Sequence, residues 1–492
     1  MPRSRPTMQE VLLEDVDVPP AGTPVPAGPG TDGDGDGDAG VSDGPQPGRP
    51  GRARRAWVFG AVALIGVAAA VARPAAGEPA PGALAGVRGA LTAVDGPVAE
   101  LWRTDLRVTS ALRDVSGLLV GAVEAPDRSE QLVALHPGTG ETAWSTPLRG
   151  PGGPRRNGAE CALPDVRSGH DPVAACVVTD AEEAVDLRSS PGDDGGASAR
   201  LVLVRTTDGR VLRDEPTDPS ATVAALGPDV VTSRVGADGR VTVDRSDPVT
   251  GEIRWTFTGA EPLRATAYGR EAWIGVFGDL VLVGGDTGWV LSADGGLVHQ
   301  WDAGPWGPAW FDIVGDGLLL EAAAGDATEV VDLHAGRTYG VDGRPVGTVL
   351  DDGSVPGLVL VQAPGDLLAG YTDRGDRRWT APDAGIGASG LLILDGRVIR
   401  THEGALSALD ARTGETVWTT PLAPATELAL TTDGRVVLCG RRDPDRGVVL
   451  GAYGVDDGRL RWDVVLPHGV NHVAVAAGRL FGLTDDEIVA LG

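Results

Sequence analysis

Residues 132–148 read LVALHPGTGETAWSTPL, and residues 406–422 read LSALDARTGETVWTTPL, two near repetitions of one unit. A third copy, VTVDRSDPVTGEIRWTFTG at 241–259, keeps Asp244, Gly251 and Trp255, and a fourth, YGVDDGRLRWDVVLP at 453–467, keeps Asp456, Gly458 and Trp462. Each copy is an apolar run, a tight turn ending in glycine, and a second run with tryptophan four residues after that glycine. Glycine supplies the positive φ that a tight turn requires, and both flanks are rich in β-formers, so the unit is a β-hairpin.

The tryptophans set the length of the full unit. Trp102 and Trp144 are 42 residues apart, Trp379 and Trp418 are 39, Trp418 and Trp462 are 44, and Trp255 and Trp301 are 46. The hairpin before Trp301, SADGGLVHQWD, carries one extra residue. Two degenerate copies lie between: TTDGRVLRDE, with Arg213 in the tryptophan place, and VVDLHAGRTYG, with Gly340 there. Upstream of each hairpin lies another pair of strands, as in ELALTTDGRVVLCG and GASGLLILDGRVIRTH. Four short antiparallel strands per ~40–45 residues is the period of a β-propeller blade. The C-terminal LFGLTDDEIVALG reads as strands lacking a tryptophan strand, whereas VAELWRTDL around Trp102 reads as a tryptophan strand with nothing before it. Pairing the two closes a ring and removes the open sheet edges. Nine tryptophan positions can be counted, filled or degenerate, at 102, 144, 213, 255, 301, 340, 379, 418 and 462. Because propellers usually have about four to eight blades, the expectation is an all-β fold of eight four-stranded blades, with seven to nine as the range.

The repeated Asp-x-x-Thr-Gly-x-x-x-Trp hairpin resembles the repeat of the pyrroloquinoline-quinone-type propellers, which include quinoprotein dehydrogenases and the non-enzymatic BamB-like propellers. The resemblance spans roughly residues 98–492. It implies that Trp102, Trp144, Trp255, Trp301, Trp379, Trp418 and Trp462 are structural and dock between neighbouring blades. It also implies a scaffold that binds protein partners. Quinoproteins of this kind hold their cofactor beneath a disulfide of adjacent cysteines, and this chain has no Cys-Cys pair. Trp273, Trp289, Trp306 and Trp310 lie off the repeat and read either as core or as the candidate recognition surface.

The composition restricts the function further. All 42 basic residues are arginine, set against 69 acidic ones, for a net charge of −27. Nucleic acid is excluded as a partner, because binding it needs a basic surface to neutralise phosphates. No pattern of nucleophile and base or of metal ligands survives inspection. His468 and His472 share the loop PHGVNH, where Pro467 and Gly469 oppose the helix that an i, i+4 metal pair needs. GIGASG at 385–390 is followed by the strand-like LLILDGR where a phosphate-binding loop needs a helix. The expectation is therefore no enzyme, no cofactor and no metal.

Topology rests on residues 56–72, AWVFGAVALIGVAAAVA, an uncharged run with Arg52, Arg54 and Arg55 before it and Arg73 after it. Seventeen helical residues span about 25 Å, the short end of a bilayer crossing. Arginines before the run place the N-terminus in the cytoplasm and all that follows outside. Residues 1–55, rich in Pro, Gly and Asp, read as a disordered cytoplasmic tail, and residues 73–95 as a semi-flexible stalk. The propeller at 96–492 is then extracytoplasmic, where Cys161 and Cys176 should close a disulfide. Cys439 reads as a small buried core residue. The function expected is a single-pass, membrane-anchored scaffold for an envelope protein or peptide. The alternatives are a quinone-dependent, dehydrogenase-like enzyme and a transmembrane sensor acting through the tail, where Thr7 lies in RSRPTMQEVLLEDVDV.

Overall fold

The computed structural model describes residues 84, 87 and 89–492, apart from 111, 153–157, 165–171, 180–197, 264–271, 286, 303–310, 316, 323–326, 383–385, 403 and 423–425. The tail, the segment 56–72 and the first part of the stalk lie outside the described residues. Among the described residues, no helix is long and apolar enough to cross a membrane.

Nine sheets follow one another along the chain, and they form a propeller with one blade more than expected. Blade 1 spans residues 107–149, blade 2 160–217, blade 3 222–262, blade 4 273–302 and blade 5 311–342. Blade 6 spans 344–382, blade 7 386–421 and blade 8 426–465; blade 9 combines 472–491 with the N-terminal strand Glu100–Thr104. The expectation of eight is corrected to nine. The degenerate hairpins at Arg213 and Gly340 belong to complete four-stranded sheets, blades 2 and 5. Antiparallel pairing is carried by backbone hydrogen bonds and apolar strand faces, so losing one tryptophan does not erase a blade.

The expected closure is present. Glu100–Thr104 pairs antiparallel with Ile488–Leu491, setting Trp102 opposite Ala490 and Thr104 opposite Ile488. Just beyond, Ala99 and Gly492 exchange both backbone hydrogen bonds, at 2.9 and 3.0 Å. The chain ends therefore meet where every other blade has a covalent turn between its third and fourth strands.

The core lies between blades. The second and third strands are covered on both faces and read as continuous apolar runs, as in Leu118–Glu124 and Glu130–Leu135. One cluster joins Val120 and Leu132 of blade 1 to Ala174, Cys176 and Val202 of blade 2. The fourth strands sit at the rim with one face open, so they alternate; in Arg377–Pro382 only Trp379 and Ala381 are buried. One departure breaks the pattern. In blade 6 the innermost strand is reduced to Arg344–Pro345, and Thr348–Asp351 crosses over to pair in parallel with Leu391–Ile393 of blade 7.

The stalk expected at 73–95 ends earlier than the sequence suggests. Leu91 is buried and donates its N–H to the Thr432 carbonyl, and Val94 N–H donates to Asp433 Oδ2, both at 2.9 Å. Residues 89–95 are thus held on the propeller through its last blades.

Candidate functional site

Indole needs a partner for its N–H once it leaves water, and the blade turns supply one. Trp102 Nε1 donates to the Pro137 carbonyl at 3.1 Å, Trp144 to Thr206 at 2.9 Å and Trp255 to Ala293 at 2.8 Å. Trp379 donates to Ala411 and Trp418 to Val455, both at 2.9 Å. Every acceptor lies in the glycine turn of the next blade. The turn glycines are where the rings land: a Cβ on Gly140 would stand 2.6 Å from the Trp102 ring, and on Gly209, Gly295 and Gly414 it would stand 2.7 Å from Trp144, Trp255 and Trp379. The glycine therefore serves twice, for its φ near +72 to +84° and for the flat floor it gives the indole. Trp301 packs against Leu319, Val331 and Leu333 of blade 5, and Trp462 against the cluster shared by blades 8 and 9.

The remaining two interfaces use other chemistry. Arg213 lays its guanidinium over Gly251, with Nη1 2.8 Å from where a Cβ would be, and pairs with Glu215. Tyr339, one residue before the expected Gly340, covers Gly375 and donates its hydroxyl to the Thr372 carbonyl at 3.4 Å. Burial, followed by the nearby charge of Asp373, pushes the Tyr339 phenol up to about 12, so it stays a donor. A second signal in the sequence identifies the hairpin. The residue facing the tryptophan across the pair is Ala134, Gly288, Gly370, Ala408, Ala452 or Ala490 in six of the blades, where the ring lies against that strand; in blade 3 Trp255 faces Arg245 instead.

The four tryptophans off the repeat do not assemble into one exposed surface among the described residues. Trp289 is 1% exposed, in a cluster with Val241 and Val243 of blade 3 and Val281 of blade 4, with Phe257 edge-on at 6.1 Å. Of the two readings, Trp289 takes core and is removed from the candidate recognition surface, because it stands on a third strand covered on both faces. Trp273 is half-buried on the inner strand of blade 4, with its ring over Gly284. Trp306 and Trp310 lie outside the described residues.

Buried polar groups are engaged within blades and between them. Glu130, 3% exposed, accepts from Ala159 N–H at 2.6 Å and Thr109 Oγ1 at 2.9 Å and pairs with Arg149 at 3.0 Å. Asp229, also 3% exposed, faces Arg245 and Arg254 at 2.6 and 2.8 Å. His299 occupies the place four after its turn glycine that tryptophan takes in other copies, and its Nε2 lies 3.0 Å from the buried Glu321 of blade 5. On the crossover strand, burial raises Asp351 above the usual carboxylate range, partly offset by the Gly353 N–H that it accepts at 2.8 Å. Among the described residues, no three His, Cys, Asp or Glu side chains are grouped to hold a metal ion.

Cys161 and Cys176 face each other across the first two strands of blade 2 and form a disulfide. Cys439 is buried and unbridged. The open surface that sequence reasoning missed is the rim. Of the ten large hydrophobic side chains left exposed among the described residues, eight stand on fourth strands: Leu101, Val211, Ile253, Leu297, Val298, Val417, Leu460 and Val465. Alternation along an edge strand signals these positions, but only the ring shows that they stay exposed among the described residues.

Fold and docking ring together define a closed β-propeller, and its final part is similar to BamB: residues 402–491 match the family described as outer membrane protein assembly factor BamB. Among solved structures, BamB from Moraxella catarrhalis is 15% identical, with a TM-score of 0.42 over 80% of this chain and 99% of that one. The computationally designed Ika8 protein is 14% identical, with a TM-score of 0.41 over 80% and 99%. Sqt1 of Saccharomyces cerevisiae is 11% identical, with a TM-score of 0.40 over 67% and 94%. No curated protein matches the chain.

Proposed function

We propose that this protein is a non-enzymatic, membrane-anchored, extracytoplasmic scaffold that binds an envelope protein or peptide at the propeller rim. The observation that carries the reading is the concentration of exposed large hydrophobics on the fourth strands. A fourth strand pairs on one edge only, and an open edge with apolar side chains recruits an extended segment by strand addition. The Cys161–Cys176 disulfide supports an oxidising compartment, and the net charge of −27 supports protein over nucleic acid as the partner. The local similarity to an assembly factor agrees with a scaffold role. The uncharged run at 56–72 supplies the anchor in this reading.

The test is site-specific photo-crosslinking in the intact envelope, with the crosslinker at Val211, Ile253 or Val417 of the full chain. Discrete adducts to a protein from rim positions, absent when the crosslinker replaces an exposed turn residue such as Asp294, are expected. No rim adduct, or equal labelling at both kinds of position, would sink the proposal. Protease accessibility of the propeller in sealed cells checks its side of the membrane.

A further inference from the structure

Blade 9 lacks the glycine turn on which the tryptophan of the preceding blade would dock, because its third strand, Ile488–Leu491, pairs with a fourth strand, Glu100–Thr104, that comes from the other end of the propeller. In five other blades that turn is the floor for an indole. We propose that residues 89–98, with Leu84 before them, are a clasp that stands in for the missing turn and holds the ring shut, so that closure of the propeller is controlled by the chain that follows the segment 56–72.

Three sets of contacts carry this. First, the clasp covers the interface the missing turn would cover. Leu91 and Val98 are buried there, with Val94 packed alongside, in the cluster that holds Trp462 and Leu450 of blade 8 with Val473, Leu480, Val489 and Leu491 of blade 9. Second, its backbone is bonded to both blades. Leu91 N–H donates to Thr432 of blade 8 at 2.9 Å, while the N–H and Oγ1 of Thr92 both donate to the Gly478 carbonyl of blade 9 at 2.8 Å. Val94 N–H donates to Asp433, and Asp95 pairs with Arg435 at 2.9 Å. Third, the clasp reaches one interface further back. Leu84 and Ala90 join the cluster of Leu392, Trp418 and Leu430 between blades 7 and 8, and Thr431 Oγ1 donates to the Gly89 carbonyl at 3.1 Å.

The mechanical consequence follows from chain order. Glu100–Thr104 is held to the rest of blade 9 by one ladder, and the clasp is the stretch directly before it. A pull or a cut that frees Leu84 and residues 89–98 exposes Trp462 and leaves the closing strand on that ladder and on the dock of Trp102 against blade 1. A cut before residue 84 leaves the ring closed. The clasp is independent of the scaffold reading and stands whether or not a partner binds the rim.

The test uses the full chain carrying Leu91→Asp and Val98→Asp together, read by amide hydrogen exchange. Exchange in 100–104 and 472–491 should rise by about tenfold or more while blade 3 stays protected. A second variant adds Ala99→Cys and Gly492→Cys, joining the ends whose backbones already exchange two hydrogen bonds; an opposed pair of this kind lies within disulfide reach. That covalent closure should restore protection in the closing blade, and it should restore folding if the charged variant fails to fold. Unchanged exchange in blade 9 of the first variant overturns the proposal, and so does a loss that the added disulfide does not repair.

Discussion

Gly414→Ala, measured beside Gly404→Ala, isolates the energy of one indole dock. Both glycines belong to blade 7 and both have φ +72°. An alanine in the left-handed region costs about 1–2 kcal/mol at either place. A Cβ on Gly404 meets nothing within 4 Å, so Gly404→Ala should cost that and no more. On Gly414 it would stand 2.7 Å from Trp379 Cδ2 and 2.8 Å from Cγ and Cε3, so the ring must retreat by roughly 1 Å to reach ordinary contact. A gap of that size forfeits about a quarter to a half of the contact energy. Burying a tryptophan is worth about 3–5 kcal/mol against alanine, so the displacement costs about 1–2 kcal/mol. Stretching the 2.9 Å bond from Nε1 to Ala411 adds some of the ~1 kcal/mol of a neutral hydrogen bond. Gly414→Ala should therefore cost about 2 kcal/mol more than Gly404→Ala. In a Trp379→Ala background that excess should vanish, leaving a coupling energy of about 2 kcal/mol. Urea titrations followed by far-UV circular dichroism, compared at constant slope, give the four values. Equal costs at Gly414 and Gly404, or an excess that persists without Trp379, would refute docking as the second role of the turn glycine.

Other outcomes follow from the same geometry. Asp351 is raised by burial, so the folded state holds its proton to higher pH than the unfolded chain, and stability falls as pH rises between those two values. Asp351→Asn, which can still accept from Gly353, should raise the unfolding midpoint at pH 7, with the gain disappearing below the unfolded value of ~3.9; an equal gain at pH 3 would contradict this. Cys161→Ser with Cys176→Ser should lower stability by about 3 kcal/mol, given the sequence separation of 15, and non-reduced peptide mass spectrometry should recover the bridge from the native protein. Arg149→Met leaves the buried Glu130 without its cation, and thermal unfolding should show a loss of about 3–5 kcal/mol. A loss under 1 kcal/mol would mean that Ala159 N–H and Thr109 satisfy the carboxylate alone.

The blade unit was legible because its signals are local. A turn glycine, a tryptophan four residues later and a small residue facing it across the pair are all fixed within one hairpin, so Trp144, Trp379 and Trp418 could be placed from their spacing. Arg213 and Tyr339 were harder. Both do the tryptophan's work with different chemistry, and only their position over Gly251 and Gly375 reveals it. Discounting one such copy produced the expectation of eight blades. Trp289 could not be decided from the sequence for the opposite reason: its side chain is large and off the repeat, and only the covering of its strand on both faces makes it core.

By itself the sequence determined the β class, the hairpin unit, the pairing of the N-terminal strand with the C-terminal ones and the Cys161–Cys176 bridge. The first three rest on short-range turn chemistry, on periodicity, or on strands left without a partner, and the bridge on two cysteines 15 residues apart in a propeller expected outside the cytoplasm. The tertiary structure alone decided that all nine counted hairpins build blades of one ring, that Glu130 and Asp229 are held by arginines of their own blades and Glu321 faces His299 of the preceding one, and that Leu84 and residues 89–98 bind the last blades. Those outcomes depend on which faces meet across distances in sequence as long as that from Leu91 to Thr432, and no local pattern encodes them.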